Sequence, residues 1–239
     1  MNLKKPTFFL LLLAFPLSNL FSYTVTSEKY SYFLLNAAGN LVHSNGRPIP
    51  ADGIYAISVW INPKKTAIVV MDPWIDKPSD FLNAYDREIT KNYLLPLVHQ
   101  AHRKGHPIII LTNDPNKVNY NTQIDDELSA MVNDPHVYLL YHQNHNAKTF
   151  AKFLKKLKID TLIYTGFASN MCVIGRPMGM IMMKYQGLRL FFVPEASAAI
   201  ETVETWETGK IHEATTTIIS QWIGNIIHWE DQMQSMRSL

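Results

Sequence analysis

Cys172 is the only cysteine in the 239-residue sequence, and it stands near the end of the stretch TLIYTGFASNMCV, residues 161–173. The apolar run Leu162-Ile163-Tyr164 ends in Thr165-Gly166, small and polar residues follow, and helix-like sequence begins at the cysteine. A buried strand turning into a helix at this point would aim the helix's first free N–H groups at the thiol. Such a setting lowers a thiol pKa and can hold a developing oxyanion, which is the chemistry of a nucleophile. The plainer reading is a small buried hydrophobe. Asp72 is the second candidate, because it ends the apolar run Ala67–Met71 and a carboxylate buried there needs a partner or a task. Asn113, Tyr141 and His142 close two further apolar runs. His99 and His102 are three apart in helical sequence, a spacing that fits a metal geometrically but fits a solvated helix face better, and no metal site is expected.

The elements that must position these residues are short apolar runs separated by helical periodicity. Residues 66–71, 107–112, 136–141, 161–165 and 188–193 have the pattern of strands buried on both faces. Helices are expected from Ser79 or Asp80 to about Lys104, over 124–132, from an Asn146 cap to about Lys158, through Cys172 to Tyr185, and over about 203–223. This alternation predicts an α/β three-layer sandwich with a mostly parallel sheet covered by helices on both faces. In such folds ligands sit beyond the carboxyl ends of the strands, so Asp72, Asn113, Tyr141, His142 and the Cys172 turn should converge on one rim. Residues 23–63, with turn residues between short apolar runs, predict an N-terminal β appendage that covers the core or joins an oligomer contact.

A formal net charge of +2 with 18% charged residues gives no basic nucleic-acid face. One cysteine excludes an internal disulfide framework and a multi-thiolate zinc site. Residues 1–22 differ in kind: Lys4 and Lys5 precede the apolar stretch Phe8–Leu17, and small or polar residues follow at Ser18, Asn19 and Ser22. That is the shape of a cleaved signal peptide, too short for a comfortable membrane span. It predicts a periplasmic or secreted protein with no stable membrane association after cleavage, whose main domain occupies residues 64–239.

Three separated segments resemble the isochorismatase-like cysteine hydrolases, a family that includes nicotinamidases and N-carbamoylsarcosine amidohydrolase. They are Thr66-Ala-Ile-Val-Val-Met-Asp72, then Leu157-Lys-Ile-Asp-Thr-Leu-Ile-Tyr-Thr-Gly166, then Phe167-Ala-Ser-Asn-Met-Cys-Val173. Gly187–Glu195 is similar to a later family segment, and the likeness spans about residues 64–225. The resemblance implies Cys172 as nucleophile, Asp72 as the base that takes its proton and returns it to the leaving amine, and an oxyanion hole from the N–H groups of Met171 and Cys172. It also implies a cis peptide at Phe167–Ala168, a small-molecule substrate, no cofactor and a homo-oligomer. The family's third catalytic residue is a lysine at the end of the third strand, where this chain has Val137-Tyr-Leu-Leu-Tyr-His-Gln-Asn-His145 and no lysine. His142 is the best chemical substitute and Tyr141 the second. Trp74, in Asp72-Pro-Trp74, is expected to form an aromatic wall of the pocket.

Two functions follow from the sequence. One is an exported cysteine hydrolase cleaving a C–N bond of a small amide or ureido compound through a covalent Cys172 intermediate. The alternative is a catalytically silent relative kept for binding or assembly, motivated by the absent lysine.

Overall fold

The computed structural model describes residues 22–75 and 80–237. The expected signal peptide, Ser22 apart, and the Ser79 helix cap lie outside the described residues. The elements are β1 (Tyr23–Phe33), a small ribbon of β2 (His43–Ser44) and β3 (Arg47–Pro48), β4 (Pro50–Ile61), β5 (Thr66–Met71), α1 (Asp80–Ile89), α2 (Leu95–Arg103), β6 (Ile108–Thr112), α3 (Asp126–Met131), β7 (Val137–Tyr141), α4 (Ala147–Lys156), β8 (Thr161–Phe167), α5 (Met180–Lys184), β9 (Arg189–Ala198), α6 (Lys210–Ile218), β10 (Asn225–Ile226) and α7 (Trp229–Arg237).

The main sheet has eight strands in the order β4-β1-β10-β9-β8-β5-β6-β7. From β10 to β7 every pairing is parallel. All six residues of β5 are buried, and period-two alternation sends them to opposite layers. Ile68 and Val70 join a cluster with Leu97 and Val98 of α2 and Leu128 of α3, while Ala67, Val69 and Met71 join Phe150 and Leu154 of α4 and Met183 of α5. Helices therefore cover both faces, as the three-layer sandwich requires. The chain order reverses between β5 and β8, so the crevice beyond their carboxyl ends is the switch point where doubly wound sheets bind ligands.

The N-terminal β appendage is a long antiparallel hairpin, β1 with β4, that continues the main sheet through the pairing of Glu28 with Ile226. Its alternating residues Tyr23, Val25, Ile57, Val59 and Ile61 are buried in the α2-side core, and the other face is open. A buried hydrogen-bond chain fastens it there. Gln232 Nε2 donates to the Tyr23 hydroxyl at 2.6 Å, Tyr23 pairs with His106 Nε2 at 2.9 Å, and His106 Nδ1 reaches the Thr66 carbonyl at 2.8 Å. Burial pushes the His106 ring down to about 4 and keeps it neutral, so Nδ1–H donates and Nε2 accepts.

Three expected helices are interrupted, and prolines or glycines explain each case. Pro96 has no N–H to give inside the helix expected up to Lys104. The chain widens into a π turn at Thr90–Leu94, where Leu95 N–H reaches Thr90 O, and Pro96 then falls in the first turn of α2. Pro177 ends the helix that follows Cys172, which restarts only as α5. Gly209, at φ +61°, starts α6 seven residues later than the periodicity suggests, and the Glu201 carboxylate accepts the free Ile211 and His212 N–H groups at 3.0 and 2.8 Å. The short strand β10 and helix α7 have no counterpart among the predicted elements.

Candidate active site

Asp72 leaves β5 with φ +42°, a left-handed conformation that Asp tolerates better than most residues. Its N–H donates to Leu111 O at 2.8 Å, which holds the turn against β6. The carboxylate is almost wholly buried and has three neighbours. His142 Nε2 stands 2.8 Å from Oδ1, an Arg176 guanidinium nitrogen stands 3.2 Å from Oδ2, and the Cys172 thiol lines the same cavity wall, near enough for the two groups to act on each other's charge. A thiol facing an ionised carboxylate is the donor, and the same reasoning puts a proton on His142 Nε2.

The turn carrying Cys172 is set by close backbone approach. Gly166, at φ +98°, lies so near β5 that a Cβ there would stand 2.2 Å from the Met71 carbonyl oxygen, so no other residue fits. The Phe167–Ala168 peptide is cis, at the bond the resemblance implied. Ser169–Val173 then form a π turn, with Val173 N–H bonded to Ala168 O at 3.1 Å. Ser169 Oγ is 2.9 Å from His212 Nδ1, whose ring is held neutral chiefly by burial. Asn170 clamps the opposite wall: its side chain accepts from Ile200 N–H at 3.0 Å and donates to Ile200 O at 3.3 Å.

These elements enclose a cavity of about 260 Å³ lined by Asp72, Cys172 and Arg176 with Trp74, Phe167, Met171, Ala198 and Ile200 among its apolar walls. A cavity of this size takes a small molecule with an apolar body and one reacting polar group. Asp86 of α1 adds a second carboxylate to the lining.

The predicted residues divide. Asp72, Cys172 and His142 meet, while Trp74 and Met171 line the cavity, with the Trp74 indole N–H held by Thr112 Oγ1 at 2.7 Å. Asn113 and Tyr141 are not among the cavity residues. Asn113 donates to the Tyr120 hydroxyl at 2.9 Å and accepts from Gln143 at 2.8 Å, and Tyr141 continues the edge strand β7. Nor is the Met171 N–H free for an oxyanion, since it donates to Ala168 O at 3.1 Å. His99 and His102 turn apart, to Glu127 and to the Pro135 carbonyl.

The thiol pKa also corrects the expectation. Burial and the neighbouring Asp72 carboxylate push Cys172 up to about 11, outweighing Arg176 and the Ala168 amide, which act in the other direction. At rest Cys172 is therefore a neutral thiol beside the carboxylate that can accept its proton. Arg176 was absent from the predicted set. A usable signal existed: it follows Cys172 by four residues, which puts both on one helix face, and Pro177 drives the residue before it out of helical conformation.

No family model and no curated protein matches the sequence. Solved structures do. A cysteine hydrolase from Pseudomonas syringae pv. phaseolicola 1448A superposes with a TM-score of 0.56 at 16% identity, over 74% of this chain and 95% of its own. The YcaC gene product of Escherichia coli, an octameric hydrolase of unknown specificity, gives 0.54 at 19% identity, over 74% and 81%. The nicotinamidase SaPncA from Staphylococcus aureus gives 0.53 at 15% identity, over 68% and 97%. The fold of this chain is that of the isochorismatase-like cysteine hydrolases. In this chain the fold's crevice carries a thiol, a carboxylate, an imidazole and a guanidinium.

Proposed function

We propose that this protein is an exported cysteine hydrolase that cleaves a C–N bond of a small amide or ureido compound. The observation that carries the reading is the Cys172 thiol placed with the buried Asp72 carboxylate at the wall of one small apolar cavity. In the first step the sulfur bonds to the substrate carbonyl carbon as its proton passes to Asp72. The C–N bond then breaks, and Asp72 returns the proton to the departing nitrogen. A thioester, or a thiocarbamate from a ureido substrate, remains on Cys172. Water next adds to that carbonyl and gives a proton to Asp72, the C–S bond breaks, and Asp72 reprotonates the sulfur.

His142 stands across the carboxylate from the thiol and orients it. The likeness to SaPncA supports an amide substrate and the likeness to the octameric YcaC product supports a homo-oligomer. The basic, apolar and then polar order of residues 1–22 supports export to the periplasm or the medium. Among the described residues no helix is long and apolar enough to cross a membrane.

The test is a panel of small primary amides and ureido compounds, assayed for released ammonia and quenched for intact mass. The expected result is turnover of at least one, with an acyl or carbamoyl adduct on Cys172. Absence of both turnover and adduct across the panel would favour the silent binding module.

A further inference from the structure

The site must carry one negative charge through several positions without moving the atoms around it. At rest the charge is on the Asp72 carboxylate; when the thiol proton crosses it passes to sulfur, and on attack to the carbonyl oxygen. A fixed cation beside both the carboxylate and the sulfur stabilises each position with no reorganisation. His142 meets only the carboxylate, at Oδ1. Arg176 donates to Oδ2 at 3.2 Å and lines the cavity wall together with Cys172, where its charge acts on the thiol as well. Its guanidinium keeps its proton under all working conditions, whereas an imidazole does not.

We propose that Arg176 is the catalytic cation of this site, supplied from the nucleophile's own turn, and that His142 is a positioning residue for Asp72. The inference rests on the cysteine-hydrolase reading.

The chain is built to hold Arg176 there. Its N–H bonds to Cys172 O at 3.2 Å, which locks the two residues in register. Pro177 follows and ends the helix at Arg176. The buried Tyr164 hydroxyl donates to Met178 O at 2.7 Å, fixing the next residue to β8. Gly179 then packs against the turn so closely that a Cβ there would lie 2.8 Å from Val173 O and 2.9 Å from both the N and O of Arg176. Four successive constraints therefore fall on residues 176–179, of which only Arg176 lines the cavity. The charged groups facing the thiol are Asp72 and Arg176, with His142 behind the carboxylate and Asp86 on the α1 side of the cavity.

The experiment is the rate of Cys172 alkylation by iodoacetamide against pH, on the full chain, with folding followed by circular dichroism. Labelling needs no substrate, so it reads the charge at sulfur directly. Arg176→Gln is expected to move the thiol midpoint up by about one unit or more and to slow labelling at pH 9 about tenfold. His142→Gln is expected to move it less. In Arg176→Ala, low millimolar guanidinium chloride is expected to restore labelling while equal sodium chloride does not; this arm also serves if the Gln variant fails to fold. An unmoved or lowered midpoint in Arg176→Gln, a larger shift in His142→Gln, or rescue by sodium chloride would overturn the assignment. The predicted shifts without turnover of any amide would instead overturn the hydrolase reading and leave the charge assignment standing.

Discussion

Two of the histidine–carboxylate clusters among the described residues have opposite proportions. In the β5–β8 crevice one carboxylate, Asp72, faces an imidazole, His142, and a guanidinium, Arg176, together with a thiol, and the Asp72 and His142 side chains are only 2% and 5% exposed. At the N-terminal seam one histidine, His228, faces two carboxylates, Glu195 at 2.6 Å and Glu28 at 3.3 Å. That side chain is 42% exposed. Water screens the second cluster, which ties β1 and β9 to the segment after β10 and adjoins no thiol. In the first there is little water to screen anything, so each proton position alters its neighbours strongly. The difference teaches that histidine–carboxylate pairing alone does not mark a reactive site. Burial, an adjoining cavity and a group with a transferable proton do.

The largest effect is expected at Asp72: its exchange for Asn removes the proton acceptor and should lower kcat by about 10²–10⁴, or roughly 3–5 kcal/mol of activation energy, in a steady-state assay on any substrate the panel finds. Gly166→Ala should follow. A Cβ 2.2 Å from Met71 O at φ +98° predicts about 2–4 kcal/mol of lost stability by urea unfolding, with loss of labelling specificity at Cys172.

At the seam the effects are smaller. Tyr23→Phe leaves Gln232 and His106 without their shared partner and should destabilise the fold by about 1–3 kcal/mol, measured by thermal unfolding. Weakest is the titration of His228. Partial burial opposes its charge, but Glu195 and Glu28 together raise its pKa above the ordinary value. A raised folded pKa contributes stability fully below the unfolded value of about 6.5 and loses it as pH climbs through the folded one. Solvent screening keeps this under about 1 kcal/mol. Amide exchange in β1, corrected for intrinsic base catalysis, should therefore quicken modestly between pH 6 and pH 9, and His228→Gln should abolish that change.

The sheet and its rim were legible in the sequence because β5, β6 and β8 are buried on both faces, and because polar residues close their apolar runs at Asp72, Thr112 and Thr165. Continuous apolar runs admit few other structures. Asp72, Cys172 and His142 followed from that placement. Arg176 did not, because periodicity extended the helix straight through Pro177 and hid the turn that swings the guanidinium back to Asp72. Asn113 and Tyr141 are not among the cavity-lining residues, for a different reason. Position at a strand end fixes the Cα, whereas the neighbours Tyr120 and Gln143 decide where the Asn113 side chain turns. The thiol pKa was misjudged because the helix-start argument counts only donors, and here a buried carboxylate outweighs them.

The central claim is that the Asp72 carboxylate holds the Cys172 proton. Alkylation rate against pH, measured side by side on the wild type and Asp72→Asn, tests it most directly. The account predicts a wild-type midpoint near 11 and a lower one in the variant, so that at pH 8 the variant labels faster while its hydrolysis is lost. Coincident curves for the two proteins would contradict it.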